Sequence, residues 1–183
     1  VKYYYKNNHK FNAIKSETDN LIFFNKQKFK YFPSIINHND RFLIMSFIEN
    51  NDDQPNQTND DFLDAIISIH SMYSKNFGFS FDTQIGGLKQ INSMSKNWKE
   101  FYTERRLYYI FDLVNKNKPM DKVINTKIDL LIKKIDNFIP NNPRSSLLHG
   151  DLWEGNILFK NKKFVGLIDP GSFYGHNELE VSY

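Results

Sequence analysis

The chain contains no cysteine among its 183 residues. Disulfide bonds and thiolate metal sites are therefore excluded, which suits a reducing compartment. No apolar run approaches the ~20 residues that a membrane helix needs. The first ten residues, VKYYYKNNHK, also lack the layout of a signal peptide. We therefore expect a cytoplasmic protein that has no membrane partner.

A concentrated basic region is missing as well. The formal net charge is +3, and lysines and acidic residues are interspersed along the chain. A concentrated basic patch is typical of proteins that bind nucleic acid, so we expect no nucleic-acid partner. Hydrophobic residues make up 40% of the chain and aromatic residues 16%, which favours an ordered globular protein. The composition leaves the oligomeric state open. Because the chain begins with Val1 and not with Met, we expect a fragment or a trimmed N-terminus.

The first fifty residues favour β-structure around one helix. VKYYYK is predicted as a strand, FNAIKSETDNLIFFNKQ as a helix, and IIN with RFLIMSFIEN as two strands joined by the turn HND. The stretch at 51–60 is polar and contains a proline, so a linker is predicted there. We therefore expect an N-terminal lobe at 1–50 and a C-terminal lobe at 61–183.

The rest of the chain favours helices and ends in short strands. Three helices are predicted, from DDFLDAIISIHSMY, SKNWKEFYTERRLYYIFDLVNKN and MDKVINTKIDLLIKKIDNFI. His70 lies in the first of these, among apolar residues, and is predicted to be a buried structural histidine. NFGFSFDTQIGG is predicted as a loop because glycines punctuate it. The residues after NNPRS are predicted as strand, loop, strand and loop.

Two acids and an amide follow the apolar runs near the end of the chain. In LLHGDLWEGNILF, Asp151 lies in a turn and Asn156 follows five positions later, while Asp169 comes after the apolar run VGLI. Hard oxygen ligands of this kind suit Mg²⁺ bound together with nucleotide phosphates. Phosphoryl transfer needs a carboxylate to accept a proton and an Asn and an Asp to hold metal ions. A single Asp after a strand is usually a turn residue, but the set of three favours kinase-like chemistry.

The front of the chain supplies a second expectation. Phosphoryl transfer of this type uses a lysine on a strand, paired with a glutamate on the next helix, to bind the phosphates. Lys6 closes the predicted strand VKYYYK and Glu17 lies in the following helix, so we expect these two side chains to pair. Lys10 and Lys15 remain alternatives to Lys6. Alone, each of these residues would be interpreted as a solvated surface residue.

Two separate motif blocks make the resemblance specific. HGDLWEGN, IDPG and FYGHNELE form the first block, and FGFSFDTQIGGLKQIN followed by NWKEFYTERRL forms the second. This pattern resembles the fructosamine/ketosamine kinase family, whose members share the fold of aminoglycoside phosphotransferases and protein kinases. The resemblance runs from Lys6 to Glu180. It implies an α+β, protein-kinase-like fold of two lobes, a small antiparallel β-sheet lobe and a larger, mainly helical lobe, truncated at both ends.

The family resemblance also implies an activity. Its members use ATP and Mg²⁺ to phosphorylate the 3-hydroxyl of a ketosamine, on a small molecule or a protein, which leads to deglycation. Alternatives are a related aminoglycoside- or choline-type kinase and a catalytically silent nucleotide-binding homologue. The resemblance assigns Asp151 as the base, Asn156 and Asp169 as Mg²⁺ ligands, and Lys6 with Glu17 as the phosphate-positioning pair.

Further residues receive roles from the same resemblance. The segment SFIEN would be the hinge, where the backbone of Ser46, Phe47 and Ile48 pairs with adenine. On the substrate side, Trp153 would stack on a sugar ring or pack under the loop. His149 would brace the loop by hydrogen bonds and not transfer protons. His176 and Glu178 match the family's GH-x-E and would order the segment after the catalytic loop.

Some positions match without a derived role, and others depart from the family pattern. Gln90 and Asn92 match a Q-x-N motif whose role the residues do not reveal. The chain lacks the family's first strand and the glycine-rich loop that covers the phosphates, which bears on its own activity. Four single positions also depart, and these bear on substrate choice: Met94, Glu154, Asn177 and Glu180.

Overall fold

A three-stranded antiparallel sheet and one long helix form the first part of the molecule. The computed structural model describes residues 2–3, 11–51, 53–55 and 59–182. The elements are β1 (Lys2–Tyr3), α1 (Ala13–Lys26), β2 (Ile35–His38) and β3 (Phe42–Met45). The strand order is β1-β3-β2. The predicted helix and strand pair are confirmed, although the second strand of the pair ends at Met45 and not at Asn50.

Helix α1 starts and packs as its sequence dictates. The side chain of Asn12 caps the helix by accepting a hydrogen bond from the backbone N–H of Lys15 at 3.1 Å. Leu21 and Phe24 are fully buried, and Phe24 stacks on Phe32 with ring centroids 3.9 Å apart. Glu17 is buried on the same helix, only 4% exposed. A buried carboxylate needs a partner, so its environment marks the site described below.

The middle of the chain holds one helix and a hairpin that was predicted as a loop. Helix α2 (Asp60–His70) is followed by β4 (Thr83–Ile85) and β5 (Leu88–Gln90), which pair antiparallel. The loop prediction for this stretch was wrong at its end. Gly86 and Gly87 both have positive φ, +53° and +83°, which is the requirement of the tight turn that joins two strands of a hairpin.

The second long helix is continuous but not uniform. It runs through α3 (Trp98–Tyr102), a π-helical segment at Thr103–Tyr108 and α4 (Tyr109–Asn117). Helix α5 (Lys122–Lys133) follows and ends in a 3₁₀ turn at Ile135–Asn137. Both predicted helices are confirmed. The π-helical segment was not predicted, because hydrophobic spacing does not distinguish it from an α-helix.

The last part consists of two strand pairs and a short helix. Strand β6 (Ser146–Leu148) pairs with β9 (Phe173–Gly175), and β7 (Ile157–Lys160) pairs with β8 (Lys163–Leu167). Helix α6 is Glu178–Val181. The loops 149–156 and 168–172 both connect one strand pair to the other. They therefore run side by side, and the polar residues they carry meet.

The described part of the predicted linker lies against the second strand pair. The backbone N–H of Asn51 donates to Phe159 O at 3.1 Å, and the Asn51 side chain donates to Asn161 at 2.9 Å. The lobe boundaries at 1–50 and 61–183 stay a prediction. Among the residues that the structure describes, no helix is long and apolar enough to cross a membrane.

Candidate active site

Loop 149–156 holds Asp151 in a turn that only glycine permits. Gly150 has φ +87°, and a Cβ at this position would come within 2.1 Å of the carbonyl oxygen of Gly171. The backbone N–H of Asp151 donates to Nδ1 of His149 at 3.3 Å. The carboxylate of Asp151 is only partly buried. The turn thus brings the two loops into contact while it leaves this carboxylate accessible.

Asn156 reaches back across the five-residue interval to Asp151. A 3₁₀ turn at Glu154–Asn156 returns the chain, and Asn156 Nδ2 donates to Asp151 O at 2.8 Å and to Asp151 Oδ2 at 3.2 Å. Burial raises the pKa of the Asp151 carboxyl, the bond from Asn156 lowers it, and the negative charge of Asp169 raises it further, so that the net direction is upward. The bond to Asn156 also holds Asp151 in one orientation.

Asp169 lies beside Asn156 in a strained backbone conformation. Its φ is +55°, a left-handed region that non-glycine residues enter at a cost and that is enriched at functional sites. The neighbouring Ile168 donates its N–H to Asn156 O at 3.1 Å. The two segments that carry the predicted metal ligands Asn156 and Asp169 are therefore hydrogen-bonded to each other.

Lys2 connects helix α1 with the loop that carries Asp169. Its Nζ lies 2.9 Å from Glu17 Oε1 and also donates to Asp169 Oδ1. Burial lowers the pKa of Lys2, but attraction by Glu17 and Asp169 outweighs burial and raises it. Burial raises the pKa of Glu17, against the opposing effect of Lys2. The structure thus places a lysine from β1, a glutamate from α1 and the aspartate of the last loop in one ion-pair network.

The lysine of this network is not the one that the sequence predicted. Lys6 and Lys10 lie outside the described residues. Lys15 pairs with Asp19 at 2.8 Å on the exposed face of α1. Successive side chains of a strand point to opposite faces, so Lys2 and Lys6 share one face of the predicted strand VKYYYK. Sequence alternation therefore could not choose between them.

A matched pair of variants tests which lysine acts. If the full-length protein has the predicted ATP-dependent activity, Lys2→Met should lower kcat/KM for ATP about 10²-fold, the size of effect for one preorganised charged donor. Lys6→Met and the surface control Lys15→Met should stay close to the parent. Steady-state kinetics with varied ATP measures this. A loss in Lys6→Met with a normal Lys2→Met would show that the ion pair of Lys2 is not the phosphate-binding one.

Glu180 of helix α6 holds the loop 149–156 in place. Its buried carboxylate accepts from the backbone N–H groups of His149, at 3.0 Å, and Gly150, and it lies 2.9 Å from Nε2 of His70. The sequence marked Glu180 only as a departure from the family pattern. His70 was predicted to be a buried structural histidine. Its side chain is mostly buried and contacts Glu180, and its structural role stays a prediction.

His149 is enclosed by the fold. It has no exposed surface, and its ring stacks on Phe32 with centroids 5.8 Å apart. Burial lowers the pKa of His149, an effect that the nearby charge of Glu180 only partly opposes. A buried neutral imidazole that accepts from the backbone of Asp151 supports the loop-bracing role over proton transfer.

Trp153 and Glu178 are not part of the ion-pair network of Lys2, Glu17 and Asp169. The indole of Trp153 is 50% exposed, lies over Gly155 and lines a groove of about 560 Å³ together with Phe62 and Leu63 of α2. Glu178 begins α6 with its side chain 76% exposed, 3.9 Å from His176. The exposed Glu154 begins the 3₁₀ turn, and nothing in the structure explains its side chain. The substrate-side roles of Trp153, His149 and Glu178 stay predictions.

The predicted hinge follows directly on β3. The backbone N–H of Ser46 donates to Ser34 O at 2.8 Å, so this N–H already has a hydrogen-bond acceptor. Phe47 is 83% exposed, and the side chain of Ile48 lies against Gly166 of β8. If this segment pairs with adenine, the contacts fall to the backbone of Phe47 and Ile48 and not to the N–H of Ser46.

The ligand set fits a nucleotide-bound magnesium ion. Within 2–3, 11–51, 53–55 and 59–182, no three His, Asp or Glu side chains cluster so as to hold a metal by themselves. Asn156 donates its amide hydrogens to Asp151, so its side-chain oxygen would be free to serve as a hard ligand together with the carboxylate of Asp169. Mg²⁺ is commonly held by one or two such groups plus phosphates.

Fold and site together define a class of protein. A small sheet carrying a lysine, a helix carrying a glutamate and two adjacent acidic loops form the arrangement of protein-kinase-like proteins. A solved structure from Thermobifida fusca, described as a fructosamine-3-kinase, matches with TM-score 0.83 and 21% identity over 97% of this chain and 61% of its own. An ADP-bound aminoglycoside phosphotransferase matches with TM-score 0.60 and 18% identity over 92% of this chain and 58% of its own. The predicted α+β, protein-kinase-like fold is confirmed.

The family follows from the sequence comparisons. A family model described as fructosamine kinase matches residues 2–183, and the chain belongs to that family. It is 36% identical over 140 residues to the chloroplastic protein-ribulosamine 3-kinase of Arabidopsis thaliana, covering 76% of this chain and 43% of that protein. It is 37% identical over 110 residues to the ketosamine-3-kinase of Mus musculus, covering 60% of this chain and 35% of that protein. The chain thus spans less than half the length of these curated relatives.

Proposed function

We propose that the full-length protein transfers the γ-phosphoryl group of ATP to the 3-hydroxyl of a ketosamine, as a step in deglycation. The observation that carries the proposal is the convergence of Asp151, Asn156 and Asp169 with the Lys2–Glu17 pair, in a chain of the fructosamine kinase family. The relatives named ribulosamine and ketosamine kinases support the acceptor class.

The residues divide the work of the reaction. Asp151 Oδ accepts the proton of the acceptor hydroxyl while the hydroxyl oxygen bonds to the γ-phosphorus and the bond to the β-phosphate oxygen breaks, releasing ADP. Asn156 orients Asp151 by its hydrogen bond. Lys2, held by Glu17, positions the phosphates. Asn156 and Asp169 would hold Mg²⁺, which neutralises phosphate charge when bound.

A substrate panel tests the acceptor. Full-length protein with Mg²⁺ and ATP is expected to phosphorylate fructosamine and ribulosamine model compounds, free and protein-bound, in preference to aminoglycosides and choline. Phosphate transfer to each compound measures this. A preference for aminoglycosides or choline would replace the proposed acceptor, and nucleotide binding without transfer to any compound would favour a silent homologue. Retention of all the site groups argues against that silent homologue.

The raised pKa of Asp151 predicts a pH dependence. A general base works only when deprotonated, so kcat/KM should rise with pH through the pKa of Asp151. Since burial raises that pKa, the acidic limb should lie above the ~3.9 of an unperturbed aspartate. A pH profile of kcat/KM for the acceptor measures this. A limb at or below the ordinary range would show that Asp151 does not limit the reaction as its base.

The cytoplasmic location stays a proposal as well. The Arabidopsis relative is named chloroplastic, so family membership alone does not locate the protein. Imaging of the full-length protein fused to a fluorescent reporter would decide.

A further inference from the structure

The turn that carries Asp169 is held by contacts outside the ion-pair network. The carbonyl oxygen of Gly171, two residues after Asp169, accepts from Thr83 Oγ1 at 3.1 Å and from Gln90 Nε2 at 3.4 Å. The backbone N–H of Gly171 donates to His149 O at 2.9 Å. The hairpin formed by β4 and β5 and the loop 149–156 therefore both hold this turn at Gly171.

Asn92 fixes the orientation of the Thr83 hydroxyl. Both residues are fully buried. Asn92 Nδ2 donates to Thr83 Oγ1 at 2.8 Å and to Phe81 O at 3.1 Å. Because the hydroxyl oxygen accepts from Asn92, its own hydrogen is directed to Gly171 O. This accounts for the Asn of the Q-x-N motif, which the sequence left without a role.

Arg106 in turn fixes Asn92. Its Nη2 donates to Asn92 Oδ1 at 2.7 Å, and its Nη1 donates to Ile91 O at 2.8 Å. The guanidinium lies 4.8 Å from the ring centre of Phe101 and 4.3 Å from that of Phe173. Burial lowers the pKa of Arg106 to about 10, so it remains charged at neutral pH.

The π-helical segment makes this placement possible. A π-helix closes its hydrogen bonds between residues five apart, so side chains five apart lie near one face. Arg106 comes five positions after Phe101 and packs on its ring. In a regular α-helix, residues three and four apart share a face and residues five apart do not. The departure from α-helix thus turns Arg106 toward Asn92.

A buried chain of hydrogen bonds, here called the relay, therefore connects the long helix with the turn of Asp169. It runs from Arg106 through Asn92 and Thr83 to Gly171 O. Each link is a hydrogen bond of ordinary length, and a buried network of this kind specifies one geometry when its groups are satisfied. It ends beside a residue whose backbone is strained and which the surroundings must hold. We propose that Arg106, Asn92 and Thr83 are positioning residues that fix the turn at 169–171, so that Asp169 is held for metal and nucleotide binding.

Two substitutions at Thr83 test the relay in the full-length protein. Thr83→Val removes the hydroxyl at nearly constant shape, and Thr83→Ser keeps it. The readout is the Mg²⁺ concentration that half-saturates binding of a fluorescent ADP analogue, measured beside the melting temperature. Loss of one buried hydrogen bond predicts a rise of about tenfold in that concentration for Thr83→Val. Thr83→Ser should restore the parent's value.

A second pair tests the start of the relay. Arg106→Lys keeps the charge but cannot bridge Asn92 and Ile91 as the guanidinium does, so the Mg²⁺ requirement should rise as in Thr83→Val. Arg105→Lys is the matched control. The side chain of Arg105 donates from Nε to Ser93 Oγ at 2.7 Å. Among the described residues, Arg105 contacts the relay through its backbone carbonyl, which accepts from Arg106 Nη1 at 3.0 Å and which Arg105→Lys retains. Its Mg²⁺ requirement should equal the parent's.

The catalytic role of the relay rests on the proposed function. The experiments distinguish failure of the relay from failure of that function. A parent-like Mg²⁺ requirement in Thr83→Val would overturn the proposal, and so would an equal rise in Thr83→Ser or Arg105→Lys, which would indicate general destabilisation. The binding readout needs no acceptor. A parent that binds Mg²⁺ and ADP yet phosphorylates no ketosamine would refute the proposed function and leave the relay testable by the same variants. A parent that binds no Mg²⁺ with ADP would overturn both.

Discussion

Asp151→Asn in the full-length protein is expected to lower kcat at least 10²-fold while nucleotide affinity stays near the parent's. The amide has almost the same shape as the carboxylate, and its oxygen can still accept the bond from Asn156. It cannot take up the proton of an acceptor hydroxyl. Single-turnover phosphate transfer and equilibrium binding of an ADP analogue together measure the two quantities.

An exposed aspartate provides the control for that experiment. Asp136 forms an ion pair with Lys99 at 2.9 Å, and its side chain is mostly exposed. Asp136→Asn should therefore leave both kcat and nucleotide affinity at the parent's values. Turnover by Asp151→Asn comparable with the parent would assign the base to another group. Loss of nucleotide binding in Asp151→Asn would show that its effect is not confined to proton transfer.

Glu180→Ala is expected to reduce the free energy of unfolding by about 3–5 kcal/mol, because several buried donors lose a carboxylate acceptor at about 1–3 kcal/mol each. The substitution leaves the backbone N–H groups of His149 and Gly150 and the ring of His70 without their acceptor. Glu180→Gln keeps the shape but turns an NH₂ group toward a donor, so about 2–3 kcal/mol should be lost. Urea unfolding of the full-length protein measures both losses.

Helix α6 also contains an exposed glutamate that serves as the control for Glu180. Glu178 stands two residues earlier and is exposed, with its nearest charged neighbour, His176, at 3.9 Å. Glu178→Gln should change the free energy of unfolding by less than ~0.5 kcal/mol, as surface substitutions usually do. If Glu180→Gln unfolds at the same urea concentration as Glu178→Gln, the carboxylate does not hold the loop.

Local patterns account for the parts of the molecule that were predicted correctly. Helix α1 follows from its Asn12 cap and apolar spacing. The approach of Asn156 to Asp151 follows from a five-residue interval between strands, since such a loop must turn back. These features depend on neighbours in the sequence, which a single sequence displays directly.

Other parts of the molecule could not be predicted, because the local sequence pattern either fitted two residues equally well or was interpreted differently. Alternation along the predicted strand VKYYYK favours Lys2 and Lys6 equally, and the contacts of Lys2 with Glu17 and Asp169 are visible only in the folded chain. The hairpin at β4 and β5 was missed although Gly86 and Gly87 are a hairpin signature. Here the glycines were interpreted as loop punctuation, because the strands on either side are only three residues long.

Long-range contacts account for the remaining misses. Glu180 was noted as a departure, and only the folded chain shows its carboxylate under His149 and Gly150. The role of Asn92 depends on Arg106, fourteen positions later and turned by a π-helical segment. No periodicity in the sequence connects such residues, so physical reasoning on one sequence could not place them.

The ion pair of Lys2 with Asp169 also bears on the order in which the chain folds. It joins residues 167 positions apart, whereas the bond from His149 to Glu180 spans 31. Contacts between distant residues must overcome the entropy of closing a long loop, so they form after local ones. The capped helix α1 and the hairpin of β7 and β8 can form early, each from its own residues. We therefore expect the proposed nucleotide site to be assembled late in folding, after the helices and hairpins that carry it.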